Sequence, residues 1–170
     1  MHTPVLIEAA DAREYAAAGA LFREYAAEIN IDLCFQDFAA ELTRLAEIYG
    51  PPSGCLLLAI EPGRPGGASS GGAALAGTPV GCGALRRLSA ERSELKRLYV
   101  RPQARGTKLG RMIAEALIAR ARELGYSCVL LDTLRAMITA QSLYRSLGFK
   151  ETAHYYDNPM PDMVYMQLDL

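Results

Sequence analysis

The stretch from Glu94 to Gly110, ELKRLYVRPQARGTKLG, is where residue types and spacing could do chemistry. A strand pattern ends at Val100, and Pro102, with no N–H to donate, breaks the ladder. Arg105, Gly106, Thr107, Lys108, Leu109, Gly110 and Arg111 follow, and a helix pattern begins among them. The first turn of a helix has backbone N–H groups without intrahelical partners and a partial positive charge. Phosphates bind at such ends. Gly106 and Gly110 let the backbone approach a ligand, and Arg105 and Lys108 add charge. The loop therefore predicts a pyrophosphate site. An ordinary strand-to-helix turn explains the same residues, since turns use glycine and basic side chains for their own reasons. Neither Gly-x4-Gly-Lys-Ser/Thr nor Gly-x-Gly-x-x-Gly is present, so this is not a Walker loop or a dinucleotide fingerprint.

These residues need a scaffold, and the periodicities describe one. Val5 to Ile7 reads as a strand. Asp11, with Glu14 three residues on, is a capping box that opens a helix. Tyr15, Ala18, Phe22, Tyr25 and Ile29 form its apolar face. A second helix is expected on the stripe Phe35, Phe38, Leu42, Leu45 and Tyr49, ended by Pro51 and Pro52. Cys55 to Ile60 reads as a buried strand. Residues 62 to 79, rich in Gly, Ala, Ser and Pro, read as a mobile loop. Strands follow at Val80 to Leu88 and Glu94 to Val100, then a helix from Lys108 to Leu124 closed by Gly125. Ser127 to Leu131 is a strand, Ala136 to Leu147 a helix, Phe149 to Ala153 a short strand and Val164 to Leu170 the last strand. The fold class is α/β: one domain over residues 1–170, with a single mixed central β-sheet flanked by helices.

Composition narrows the function classes. A chain of 170 residues can bury a real core. The net charge of -1 and the lack of a polybasic run argue against nucleic acid and anionic membranes as partners. The apolar run Cys55 to Ile60 is too short to span a bilayer, and the Met-His-Thr-Pro start does not resemble a signal peptide. A cytoplasmic setting is expected. Cys34, Cys55, Cys82 and Cys128 lie far apart among apolar residues, so buried free thiols are expected. His2 and His154 are the only histidines, and no metal-ligand spacing appears.

The run VRPQARGTKLGRMIAEAL resembles the acyl-CoA-binding signature of the GNAT superfamily of N-acyltransferases, Arg/Gln-x-x-Gly-x-Gly/Ala. Arg105 matches its first position and Gly110 its last, while Lys108 stands where glycine is usual. The segment AQSLYRSLGF, Ala140 to Phe149, is similar to the family's Ala-x-x-Leu-Tyr-x-x-x-Gly-Phe element, with Met137 where an Asn is common. Together the two cover the central third of the chain, and the element order extends the likeness over most of it.

The resemblance implies a GNAT-like fold and acetyl transfer from acetyl-CoA to a primary amine by direct attack in a ternary complex. It implies that backbone amides at Leu98, Tyr99 and Val100 bind the acyl carbonyl, a type of contact that contributes roughly 3 kcal/mol per donor to an oxyanion. It implies that residues 105–111 hold the pyrophosphate. Tyr144 takes the position that protonates the departing thiolate, although its pattern alone describes a packed tyrosine. Glu94 takes the position of a base acting through water, or is a solvated carboxylate paired with Lys96 or Arg97. Arg86, Arg87 and Arg97 could bind an acceptor carboxylate or be solvated. Tyr155, Tyr156, Asp157 and Asn158 could wall the acceptor cleft. The acceptor would be a small-molecule or peptide amine, and the protein a monomer or homodimer. A non-catalytic acyl-CoA-binding domain and an unrelated phosphate-binding enzyme are the rival readings.

Overall fold

Strand β1 (Val5–Glu8) leads into helix α1 (Ala12–Ile29), and the expected capping box is formed. Asp11 accepts from the N–H groups of Arg13 and Glu14, both at 2.9 Å, and Glu14 accepts from the Asp11 N–H at 3.1 Å. The computed structural model describes residues 3–30, 37–63, 75 and 77–170.

The second helical region differs from its single expected stripe. It is two short helices, α2 (Phe38–Thr43) and α3 (Leu45–Tyr49), broken where Arg44 adopts φ -128° and ψ 26°. Phe35 and Cys34 lie outside the described residues, as does most of the expected loop. The strands flanking that loop reach further than their apolar patterns. Strand β2 spans Cys55–Pro62 and β3 spans Gly77–Arg87, and their antiparallel ladder carries them past the apolar core. Strand β4 (Arg92–Val100) is followed by a short 3-10 turn at Pro102–Ala104, helix α4 (Leu109–Glu123) and strand β5 (Cys128–Leu134). Helix α5 (Ile138–Ser146), the two-residue strand β6 (Lys150–Glu151) and β7 (Met163–Asp169) complete the chain.

Among the described residues, seven strands form one sheet in the order β1-β2-β3-β4-β5-β7-β6. Side chains alternate across it. Leu57, Ala59 and Val129 pack with Ile113, Leu117 and Ala121 of α4, while Leu56 and Leu58 pack with Leu21 and Phe22 of α1 and Tyr49 of α3. Gly125 (φ 82°) and Gly148 (φ 96°) end α4 and α5 in the left-handed conformation that glycine adopts without a Cβ penalty.

Two irregularities of β4 position the site. Its parallel pairing with β5 covers only Arg92↔Cys128, Ser93↔Val129 and Glu94↔Leu130. Beyond Glu94 the two strands part, and the β5-facing edge of β4 loses its ladder partner. On the other edge, Cys82 pairs with Tyr99 and Ala84 with Lys96, so Arg97 and Leu98 stand opposite Gly83 alone. This is a β-bulge, with Arg97 at φ 58°. Gly83 leaves room for α4: a Cβ there would lie 2.7 Å from Ile113 Cγ2 and 2.9 Å from Leu117 Cδ1.

Candidate active site

The gap between β4 and β5 is a slot. Its outer part is a cavity of about 580 Å³ bounded by Leu98, Tyr99 and Val100 of β4, Met137, Ala140 and Leu143 beside α5, and Tyr25 and Ile29 of α1. Arg105, Gly106, Lys108, Leu109, Gly110 and Arg111 close one end. The slot continues inward to a smaller chamber of about 90 Å³, and Leu98, Met137 and Ala140 border both. Tyr144 lines the chamber.

The loop end suits an anion. Helix α4 begins with Met112 donating to the Lys108 carbonyl at 3.0 Å, and no side chain caps it. The N–H groups of its first turn are therefore without intrahelical partners where the loop meets the slot. Gly110 sits on this wall, and a Cβ there would make only ordinary contacts at 3.8 Å with Leu143 and Val100. Lys108 adopts φ 63°, so the left-handed turn that glycine usually serves is held by a lysine. It makes no ion pair among the described residues. Arg105 is engaged within the protein. Its guanidinium bonds both oxygens of Glu28 at 2.6 and 2.7 Å and the Val100 carbonyl at 2.9 Å, tying the loop to α1. Arg111 reaches Glu115 and the Ser146 hydroxyl. Thr107 is not on the slot wall, and its hydroxyl donates to the Ala104 carbonyl at 2.7 Å.

Comparison with known proteins decides the family. The Acetyltransferase (GNAT) family profile matches residues 45–149. The chain belongs to this family. It is an acyl-CoA-dependent acetyltransferase, 40% identical over 151 residues to an uncharacterised N-acetyltransferase of Schizosaccharomyces pombe, covering 88% of this chain and 85% of that protein. It is 36% identical over 96 residues to the IAA acetyltransferase of Azospirillum brasilense, 55% of this chain and 63% of that protein. Its fold is similar to that of an acetyltransferase from Streptococcus agalactiae, with a TM-score of 0.77, 21% identity and full coverage of both chains. A phosphinothricin acetyltransferase from Sinorhizobium meliloti, solved in complex with AcCoA, superposes with a TM-score of 0.69 at 18% identity over 99% of this chain and 89% of that one.

Within the acetyltransferase, the candidate acid and base stand differently. Tyr144 is buried against Phe149, with ring centroids 5.7 Å apart, and borders the chamber. Burial, with smaller contributions from Tyr25 and Asp132, pushes its phenol well above the ordinary value, so it stays protonated. Glu94 is fully buried and borders neither cavity. Its carboxylate accepts from Arg86 Nε at 2.6 Å and from the Tyr155 hydroxyl at 2.7 Å, with Lys96 Nζ at 4.0 Å.

Arg86 and Arg97 are likewise committed to internal carboxylates, Glu94 and Glu41. Arg97, with 4% of its side chain exposed, pairs with Glu41, and Tyr49 donates to the same carboxylate at 2.7 Å. Arg97 also lies over the Phe38 ring at 5.1 Å, so α2 is fastened onto the β4 bulge. Arg87 donates to the Ser89 carbonyl. The polar-aromatic segment after β6 stands behind the chamber. Tyr155 reaches Glu94, Tyr156 reaches Asp132, and Met160 borders the chamber itself.

Several chamber residues carried no sequence signal as site residues. Asp132 and Lys96 are polar groups in its wall, and Tyr25 of α1 borders both cavities. Tyr25 reads as core from its helical spacing, and Asp132 lies just past the apolar run that marks β5. Burial pulls Lys96 below its ordinary value, against the opposing pull of Glu94 and Asp132. Burial pushes the Cys55 thiol up to about 12 and the Cys82 thiol higher still, so neither is a ready nucleophile. No group of three or more His, Cys, Asp or Glu placed to hold a metal occurs among the described residues.

Proposed function

We propose that the protein transfers an acetyl group from acetyl-CoA to the nitrogen of a primary amine, by direct attack with both substrates bound. The observation that carries this reading is the parting of β4 and β5 beyond Glu94, with an uncapped helix start at one end and the Tyr144 phenol at the other. The pantetheine arm of the donor is long and narrow, and it matches a slot between strands. Its pyrophosphate would meet the first-turn N–H groups of α4 and the Lys108 ammonium. AcCoA in the Sinorhizobium meliloti relative supports the same donor here.

The thioester would lie along the unpartnered edge of β4. Backbone N–H groups in the Leu98–Val100 segment are the donors for its carbonyl oxygen. They are fixed before reaction by the bulge and by the ladder to β3. Such donors favour the tetrahedral oxyanion over the planar ground state, which lowers the barrier and not merely the Kd. Tyr144, kept neutral by burial, protonates the departing sulfur. Tyr25, Leu95, Leu98, Met137 and Met163 form the apolar part of the chamber wall, and an acetyl group packed against them is less open to attack by water, which competes with the amine.

Thiol release tests the reading. The protein is supplied with acetyl-CoA and a panel of primary amines: alkylamines, amino acids and peptides with free N-termini or lysines. Release of free CoA that depends on one class of amine, with the matching N-acetyl product, is the expected result. Acetyl-CoA binding without release on any amine class would leave a non-catalytic acyl-CoA-binding domain instead.

A further inference from the structure

Among the described residues, Asp132 is the carboxylate on the chamber wall, and Glu94 is not part of that wall. Glu94 is enclosed by Arg86, Tyr155 and Lys96. Asp132 is on β5, two residues beyond the last β4 pairing at Leu130, and it forms part of the chamber wall with Tyr144 and Leu98. It is partly exposed, as is Leu134 at the strand's end, while the other five residues of β5 are buried. Its Oδ2 accepts from the Tyr156 hydroxyl, and Asn158 Nδ2 donates to that hydroxyl at 2.8 Å. Asn158 in turn accepts from the Met160 N–H at 2.9 Å. The carboxylate is thus held by a chain of hydrogen bonds running back into the segment that walls the chamber. The groups around it are Tyr25 of α1, Lys96 of β4, Tyr144 of α5, Tyr155 and Tyr156 of the 152–162 segment, and its ladder partner Tyr165 of β7, each of which feels its charge.

We infer that Asp132 binds the acceptor ammonium and takes its proton, and that Tyr156 with Asn158 positions it. This rests on the acetyl-transfer reading. The acceptor enters as R–NH3+. One N–H proton passes to the Asp132 carboxylate, and the freed nitrogen lone pair forms the C–N bond while the carbonyl electrons move to oxygen. As the oxyanion collapses the C–S bond breaks, the sulfur keeps the electron pair, and it takes the phenolic proton of Tyr144. The extra proton on the new amide nitrogen returns to the Tyr144 oxygen, and Asp132 gives its proton to solvent. Acetyl-CoA and R–NH3+ become CoA-SH, the amide and one proton. An acid and a base bordering one chamber are what this exchange requires.

The test uses Asp132→Asn and Tyr156→Phe, with the panel amine that the wild type acetylates fastest. Asp132→Asn is expected to lose about 100-fold or more in kcat/KM for the amine at neutral pH. The deficit should shrink as pH rises, because solvent then supplies free amine. The acetyl-CoA-induced rise in Tm should be kept, since the donor end of the slot is unaltered. Tyr156→Phe is expected to lose about tenfold in kcat with the same donor response. Asp132→Asn activity within about threefold of wild type across the pH range would overturn the assignment. If Asp132→Asn fails to fold, an unchanged kcat in Tyr156→Phe overturns it. A wild type that neither releases thiol nor responds to acetyl-CoA refutes the acetyl-transfer reading itself, and does so before any variant is made.

Discussion

Lys108 is the residue at which this chain departs most visibly from its family's loop. Left-handed backbone costs a non-glycine residue about 1–2 kcal/mol, and its conformation is left-handed. Replacing it by glycine removes that strain but returns some freedom to the unfolded chain. Lys108→Gly should therefore stabilise the free protein by about 0.5–1 kcal/mol in denaturant unfolding. It should also weaken acetyl-CoA binding several-fold, because an ammonium leaves the proposed pyrophosphate end of the slot. A variant both less stable and tighter-binding would contradict this account of the loop. The departure is legible in the sequence, since a lysine where glycine is usual is a local signal. Asp132 and Lys96 are not, because their meaning depends on which strand separates from which.

Glu41 makes a second residue-scale prediction. Burial pushes its carboxyl up, but Arg97 and the Tyr49 hydroxyl outweigh this and hold it below its ordinary value of 4.5. A carboxyl lowered on folding adds stability above its unfolded value, and that stability is lost as pH falls through the folded value. The wild type should thus lose stability on acidification below about pH 4.5, in part through this pair. Glu41→Gln strands a buried guanidinium and should cost about 3 kcal/mol at neutral pH. Its further loss on acidification should be smaller than the wild type's. An acid-unfolding titration of both proteins checks the difference.

At the scale of elements, the bulge in β4 and the approach of α4 share one residue. Gly83 opposes Arg97 and Leu98 and leaves the space into which Ile113 and Leu117 pack. Gly83→Ala should cost about 1–3 kcal/mol by overpacking, because α4 must shift away from the sheet. The same shift would move the helix start from the slot, so weaker acetyl-CoA binding should accompany the lower Tm. Unchanged stability would mean that α4 yields freely at this contact. The long helices and central strands were legible because their apolar periods are uninterrupted. The second helical region was not, because one apolar stripe runs across both α2 and α3 and the break at Arg44 leaves it intact. Strand β5 extends three residues beyond its expected end at Leu131, since Asp132 interrupts the apolar run while the ladder to β7 continues. The short strand expected from Phe149 to Ala153 pairs only at Lys150 and Glu151, where β7 offers it an edge.

At the scale of the molecule, one sheet separates two cores, and the slot lies where two neighbouring strands of that sheet diverge. No helix among the described residues is long and apolar enough to cross a membrane. In the proposed reaction the donor enters where β4 and β5 part, and its binding should stiffen the sheet where it is unpaired. Thermal unfolding with and without acetyl-CoA, with ATP as the control, tests this most directly. At about a hundred times its Kd a ligand adds roughly 2.7 kcal/mol of stability. The account predicts a rise in Tm of several degrees with acetyl-CoA and none with ATP. No rise at saturating acetyl-CoA would contradict it.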